Sequence, residues 1–306
     1  MAGGNLPPVA EDQNPPQWFA DAIASPVIDR SVDVAGTAIH YLDWGAAGRP
    51  GLILVHGGAA HAYWWSFVAP FFSRDWHVVA LDLSGHGDSG RRPDYHKELW
   101  ADEVLAVGVD AGFADPPVVV GHSLGGMVTI TAAASHGEEL AGAVIVDAPV
   151  RRPAPESEEG RRGRTFRNPG VYATLPQAMG HFRLVPSQPV GHAYILEHIA
   201  FHSLHETERG WTWKFDPHVF DRSPVALGEQ LAAVSCRVAL IRGEFSVIVP
   251  PDTAEYMYDL LGRLSPVASI PESYHHLMVD QPLAFVAALR TLLADWDHST
   301  PFRSAS

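Results

Sequence analysis

The chain has 306 residues, of which 46% are hydrophobic, and its 21 basic and 35 acidic side chains give a formal charge of −14. That is enough apolar material for a large core plus an insertion, and it matches neither a disordered nor a fibrous composition. No basic stripe is available to neutralise phosphates, so neither nucleic acid nor a membrane is an expected partner.

Residues 1–26 are rich in Pro and Gly and read as an N-terminal arm. They lack the basic start and apolar stretch of a secretory signal, and no window approaches the ~20 apolar residues of a membrane span. Val27–Val34 and Thr37–Trp44 alternate in polarity around Ala35-Gly36 and predict a hairpin. Gly51–Val55 is an apolar strand ending at His56-Gly57-Gly58, and Trp65–Phe72 suits a short helix. Trp76–Leu81 is a strand running into Asp82-Leu83-Ser84-Gly85-His86-Gly87-Asp88, and Tyr95–Ala111 is a helix. Asp82 and Asp88 flank a glycine-rich loop and read as turn-stabilising residues. Pro117–Val120 is followed by Gly121-His122-Ser123-Leu124-Gly125 and a helix to Ser135, then by strand Ala143–Val146, which ends at Asp147.

Periodicity lapses over residues 150–224, which are rich in Arg, Pro, His and Trp, with a mixed-charge run at Glu156–Arg164 expected to begin a solvated helix. Alternation resumes with helix Val225–Ala233, strand Arg237–Ile241, helix Asp252–Leu261, strand Val267–Ile270 and helix Pro282–Leu293. Apolar strands alternating with helices imply a mostly parallel sheet covered on both faces. The segment 150–224 is then a helical lid between core segments 27–149 and 225–298, followed by a tail at 299–306. Cys236 is the only cysteine. No internal disulfide can form, a reducing cytoplasm is the expected setting, and the thiol is expected inside a buried strand.

A strand, a tight glycine-flanked turn with Ser at its tip, and then a helix form a nucleophile elbow. Side chains at the flanking glycines would collide with the adjoining strand and helix, and Ser123 would be held in strained backbone geometry. A serine hydroxyl needs a base within hydrogen-bond reach and the base needs an orienting acceptor. The base is expected from Tyr274-His275-His276, on the loop after the last strand.

His56-Gly57-Gly58, Asp82 to Ser89, Gly121 to Gly126 and His275…Asp280-Gln281-Pro282 together resemble the α/β-hydrolase fold superfamily over roughly residues 27–147 and 225–295. The resemblance implies an α/β fold, a Ser-His-acid triad with an acyl-enzyme, and no cofactor or metal. Its spacing selects His275 over His276 as the base. The oxyanion hole would be the N–H groups of Leu124, at a helix N-terminus, and Gly58. Where family members usually carry the acidic residue this chain has Ser246; Asp147 is the preferred acid and Glu244 the alternative.

His122, His276, Trp211 and Trp213 are candidate substrate-binding residues; Trp64 and Trp65 read as core. His192, His198, His202 and His205 fall in a predicted lid helix. His198 and His202, four apart, could share a face, but without an HExxH pattern they read as pocket-lining or solvated, and no metal site is expected. The expected substrate is a small or medium apolar carboxylic ester or lactone. The alternatives are a meta-cleavage-type carbon–carbon hydrolase, a cofactor-free perhydrolase or haloperoxidase, and a non-catalytic small-ligand binding protein. The oligomeric state is not readable from the sequence.

Overall fold

A computed structural model describes residues 14–152, 169–221 and 227–298; the run Glu156–Arg164 lies outside them. The strands are β1 (Ile28–Val34), β2 (Thr37–Trp44), β3 (Gly51–Val55), β4 (His77–Leu81), β5 (Val118–His122), β6 (Gly142–Val146), β7 (Leu204–Thr207), β8 (Gly210–Trp213), β9 (Arg237–Gly243) and β10 (Val267–Ile270). Eight of them form one sheet in the order β1-β2-β4-β3-β5-β6-β9-β10. The β1–β2 hairpin and the β2–β4 pairing are antiparallel, and every pairing from β4 to β10 is parallel.

The helices are α1 (Gln17–Ile23), α2 (Lys97–Asp110), α3 (Leu124–Ser135), α4 (Leu175–Met179), α5 (Ala193–His202), α6 (Leu227–Ala232), α7 (Pro251–Leu260), α8 (Leu277–Asp280) and α9 (Pro282–His298). The central strands are mostly apolar, with polar residues only at their ends or near them, because both faces are covered. Leu52, Leu54, Val78, Ala80, Val118 and Val120 face a core shared with α1, α5 and α9. Their neighbours Ile53, Val55, Val79, Leu81 and Val119 face a second core under α2, α3, α6 and α7. Each fully buried Leu, Ile or Val contributes about 1.5–3 kcal/mol, so this two-sided burial is the main source of stability.

Several expectations are corrected. Part of the expected arm is helix α1, because Phe19 and Ala22 bury into the core. The helix expected at Trp65–Phe72 is two 3-10 turns, Ala62–Trp65 and Ala69–Phe71, with Trp64 and Trp65 buried as core. The insertion between β6 and β9 is not purely helical, since β7 and β8 form a hairpin within it. His205 therefore lies on a strand and His192 stands just before α5, outside it. Cys236 is only half-buried and precedes β9, although burial still pushes its thiol up to about 11. Among the described residues no helix is long and apolar enough to cross a membrane.

The insertion seats α5 on the turn at residues 61–66. His61 Nε2 meets Ser203 Oγ at 2.8 Å, His198 Nε2 meets Ser66 Oγ at 2.7 Å, and the rings of His202 and Tyr63 stack at 3.8 Å. Burial pushes His198 and His202 down to about 4, so they are neutral packing groups and not a solvated pair.

Candidate active site

The parallel strands deliver their chemistry at their carboxyl ends, where ligands bind in open α/β sheets. His56 to Ala59 follow β3, Ser123 follows β5, Asp147 follows β6, Ser246 follows β9 by three residues, and His275 lies on the loop after β10. Neighbouring strands thus bring together groups more than 120 positions apart in the chain.

The bend at Ser123 is tight, with φ 54° and ψ −115°. A Cβ at Gly121 would strike the Gly125 carbonyl and the Thr129 hydroxyl, and one at Gly125 would strike the carbonyls of Val55 and His56. The sequence G-x-S-x-G is therefore what allows α3 to start directly above β3 and β5. The bend is fastened by the Ser123 N–H donating to the Val146 carbonyl at 2.9 Å. Ala59 (φ 56°) and Asp147 (φ 45°) also hold left-handed backbone here.

His275 Nε2 lies 3.0 Å from Ser123 Oγ, and His275 Nδ1 lies 2.7 Å from Asp147 Oδ2. Asp147 is fully buried and its remaining capacity is filled: the Gly243 N–H donates to Oδ1 at 3.0 Å and the Ser246 hydroxyl to Oδ2 at 2.6 Å. Ser246 Oγ in turn accepts the N–H groups of Ile248 and Val249, each at 3.1 Å. An imidazole held this way presents a lone pair to the hydroxyl and is positioned to take its proton.

Glu244 is not part of this group. It is exposed, its carboxylate accepts the Glu272 N–H at 2.9 Å, and Arg242 binds its backbone carbonyl and not its side chain.

His122 and His276 flank His275, with ring centroids 4.8 and 4.7 Å from it. His122 Nε2 donates to the His275 carbonyl at 2.9 Å, and His276 Nε2 donates to the Val185 carbonyl at 3.2 Å. Burial first, and then the proximity of His275, holds both well below the usual histidine value. Both are neutral, so neither opposes a positive charge forming on His275.

Of the two tryptophans, Trp213 packs toward Phe182 (6.1 Å) and Tyr172 (6.2 Å), whereas Trp211 exchanges backbone hydrogen bonds with Tyr172 on the insertion's hairpin.

Leu124 opens the 12-residue helix α3, where unpaired N–H groups and the helix dipole favour negative charge. Gly58 lies opposite: a Cβ there would stand 3.8 Å from the Leu124 side chain and 2.9 Å from the Phe220 ring. The missing side chain at Gly58 leaves space that Phe220, from the insertion, occupies. Phe220 and the Ser246 support were not foreseen; no motif marks them.

One nitrogen from each of His122, His275 and His276 lies within 4.8 Å of the others, as do ligand atoms of His40, Asp82 and Asp88. In both groups nitrogens are already committed to protein acceptors.

A profile of the alpha/beta hydrolase fold family matches residues 50–223. Esterase Rv0045c of Mycobacterium tuberculosis is 28% identical over 271 residues, covering 85% of this chain and 88% of that protein. N-formylmaleamate deformylase of Pseudomonas putida is 33% identical over 150 residues, 48% of this chain and 53% of that protein. Among solved structures, E-2-(acetamidomethylene)succinate hydrolase superposes with a TM-score of 0.77 at 20% identity, covering 88% of this chain and 100% of that one.

Proposed function

The chain belongs to the alpha/beta hydrolase fold family, and we propose that it is a serine hydrolase cleaving a small or medium apolar carboxylic ester or lactone. One observation carries this reading: His275 spans the half-buried Ser123 hydroxyl at 3.0 Å and a buried, hydrogen-bonded carboxylate at 2.7 Å.

In the proposed reaction Ser123 Oγ attacks the carbonyl carbon as His275 Nε2 accepts its proton. Asp147 fixes the Nδ1–H tautomer and stabilises the imidazolium. The N–H groups of Leu124 and Gly58 receive the oxyanion, a contribution worth about 3–4 kcal/mol per donor in comparable sites. His275 then protonates the leaving alcohol, the acyl group stays on Ser123, and water activated by the same imidazole releases the acid. The apolar side chains of Leu124 and Phe220 beside Gly58 support an apolar substrate. The esterase relative supports ester cleavage. The deformylase relative favours one second reading, cleavage of an acyl C–N bond. The lone half-buried cysteine accords with a cytoplasmic setting.

A fluorophosphonate probe, combined with a panel of p-nitrophenyl esters of rising acyl length, lactones and formamides, tests the proposal. Labelling at Ser123 that S123A abolishes, with turnover of short esters or lactones, is expected. An unlabelled, folded wild type would instead leave a binding protein, and turnover of amides alone would favour the C–N reading.

A further inference from the structure

The peptide plane joining His275 to His276 is gripped on both edges. Its carbonyl accepts from His122 Nε2 at 2.9 Å, and its N–H donates to Gln188 Oε1 at 3.0 Å. His122 belongs to the elbow strand, whereas Gln188 comes from the insertion, 88 positions away in sequence from its partner. The same Gln188 amide donates Nε2–H to Asp280 Oδ1 at 2.7 Å, and Asp280 Oδ2 accepts the Tyr274 N–H at 2.8 Å. One further bond ties this stretch of the insertion to the loop: His276 Nε2 donates to the Val185 carbonyl at 3.2 Å.

We propose that Gln188 is a positioning residue: a primary amide from the insertion that clamps the His275–His276 peptide between elbow and insertion and so aims His275 at Ser123. The inference rests on the hydrolase reading of the site. The chemistry requires an amide. One end of residue 188 must accept from a backbone N–H while the other donates to a carboxylate, which neither a hydrocarbon nor an ionised carboxylate can do. The orientation of that peptide sets the direction of the Cα–Cβ bond of His275. A displacement of about 1 Å between reacting groups costs on the order of 100-fold in rate. The seating of Gln188 and the alignment of the base therefore share one set of hydrogen bonds.

Q188L and Q188E test this in the full-length chain. Q188L is expected to lower kcat about 10- to 100-fold with KM changed less than about threefold, and to slow fluorophosphonate labelling in step. Q188E places a second carboxyl against Asp280, which burial already pushes up to about 6 despite the Tyr274 and Gln188 hydrogen bonds. The other titratable groups around it are the imidazoles of His192, His275 and His276. Two facing carboxyls share one proton in mild acid and repel when both ionise. The ratio of Q188E to wild-type kcat should therefore fall at least about tenfold from pH 5.5 to pH 8, reversibly in one sample. A merely structural role would not produce that pH dependence.

Wild-type kcat in Q188L, or a Q188E profile superimposable on wild type, overturns the proposal. If Q188L fails to fold, the reversible Q188E titration still decides. If the wild type neither labels nor turns over, the hydrolase reading fails instead, and the clamp is then read from the His275 imidazole NMR resonances: a shift in Q188L sustains it and unchanged resonances overturn it.

Discussion

Asp82 and Asp147 are two buried carboxylates at the ends of parallel strands, β4 and β6, and each holds a histidine Nδ1 at 2.7 Å. Each also accepts two further hydrogen bonds. Asp82 takes the N–H groups of Ala62 (2.6 Å) and Asp88 (2.8 Å); Asp147 takes the Gly243 N–H and the Ser246 hydroxyl. The pairs differ at the far imidazole nitrogen. His40 Nε2 meets a second carboxylate, Asp29, at 2.8 Å, whereas His275 Nε2 meets Ser123. Burial disfavours a charged His40, but the hydrogen bond and charge of Asp82, joined by Asp29, outweigh it and push the imidazole up to about 9. His40 is therefore a cation at neutral pH, with no lone pair to accept a proton. A carboxylate–imidazole pair is a structural clamp or a chemical device according to what its outer nitrogen faces.

Breaking each pair in turn sharpens the contrast. The largest effect is expected from D147N, which turns a Nδ1–H acceptor into an amide that favours the wrong tautomer. Its kcat on a chromogenic ester should fall about 10³- to 10⁴-fold while the thermal midpoint stays near that of wild type. D82N should do the reverse. It removes the buried one of the two carboxylates that hold the His40 cation and should cost about 2 kcal/mol in denaturant unfolding, the size of a hydrogen bond to a charged group, yet leave kcat per folded molecule nearly unchanged. S246A removes one hydrogen bond to the Asp147 carboxylate, and a loss of about tenfold in kcat is expected from the ~1.5 kcal/mol typical of a bond to a charged group.

The pH dependence of stability separates the pairs further. His40 is raised in the folded chain, so its contribution is complete below its free value of about 6.5 and is lost as pH rises through about 9. Asp82 is held below the ordinary carboxylate range by His40, despite burial, and its contribution is lost in acid. Between pH 6.5 and 9 the stability difference between wild type and D82N should therefore shrink, as read by urea titration at each pH. The smallest effect is expected for E244Q, whose kcat should stay within about twofold of wild type, since its carboxylate engages only the exposed Glu272 N–H.

The core was legible in the sequence for a physical reason. Strands buried on both faces are unbroken apolar runs such as Leu52-Ile53-Leu54-Val55, and Gly121 and Gly125 are demanded by backbone contacts that no other residue survives. His275 was expected from its spacing to Asp280 in the resembled family, and Asp147, with Glu244 as the alternative, from its place after β6; the structure brings Ser123, His275 and Asp147 within hydrogen-bond reach of one another in series and leaves Glu244 outside. What stayed hidden depends on partners remote in sequence. Helix α1 has seven residues and persists because Phe19 reaches the core and packs on Tyr194 at 4.8 Å, which no local pattern announces. The irregular insertion takes its order from side chains such as His198 and Gln188, whose partners lie 132 and 92 positions away. The apparent gap at Ser246 was a support for Asp147 and not a missing part.

That support has an evolutionary consequence. Ser246 Oγ stands 2.6 Å from the carboxylate oxygen that holds His275, with two backbone N–H groups already aimed at it. Aspartate introduced at 246 would meet ready-made donors and share a single proton with its neighbour. The negative partner of the imidazole can thus migrate from one strand terminus to the next through an intermediate that never lacks one.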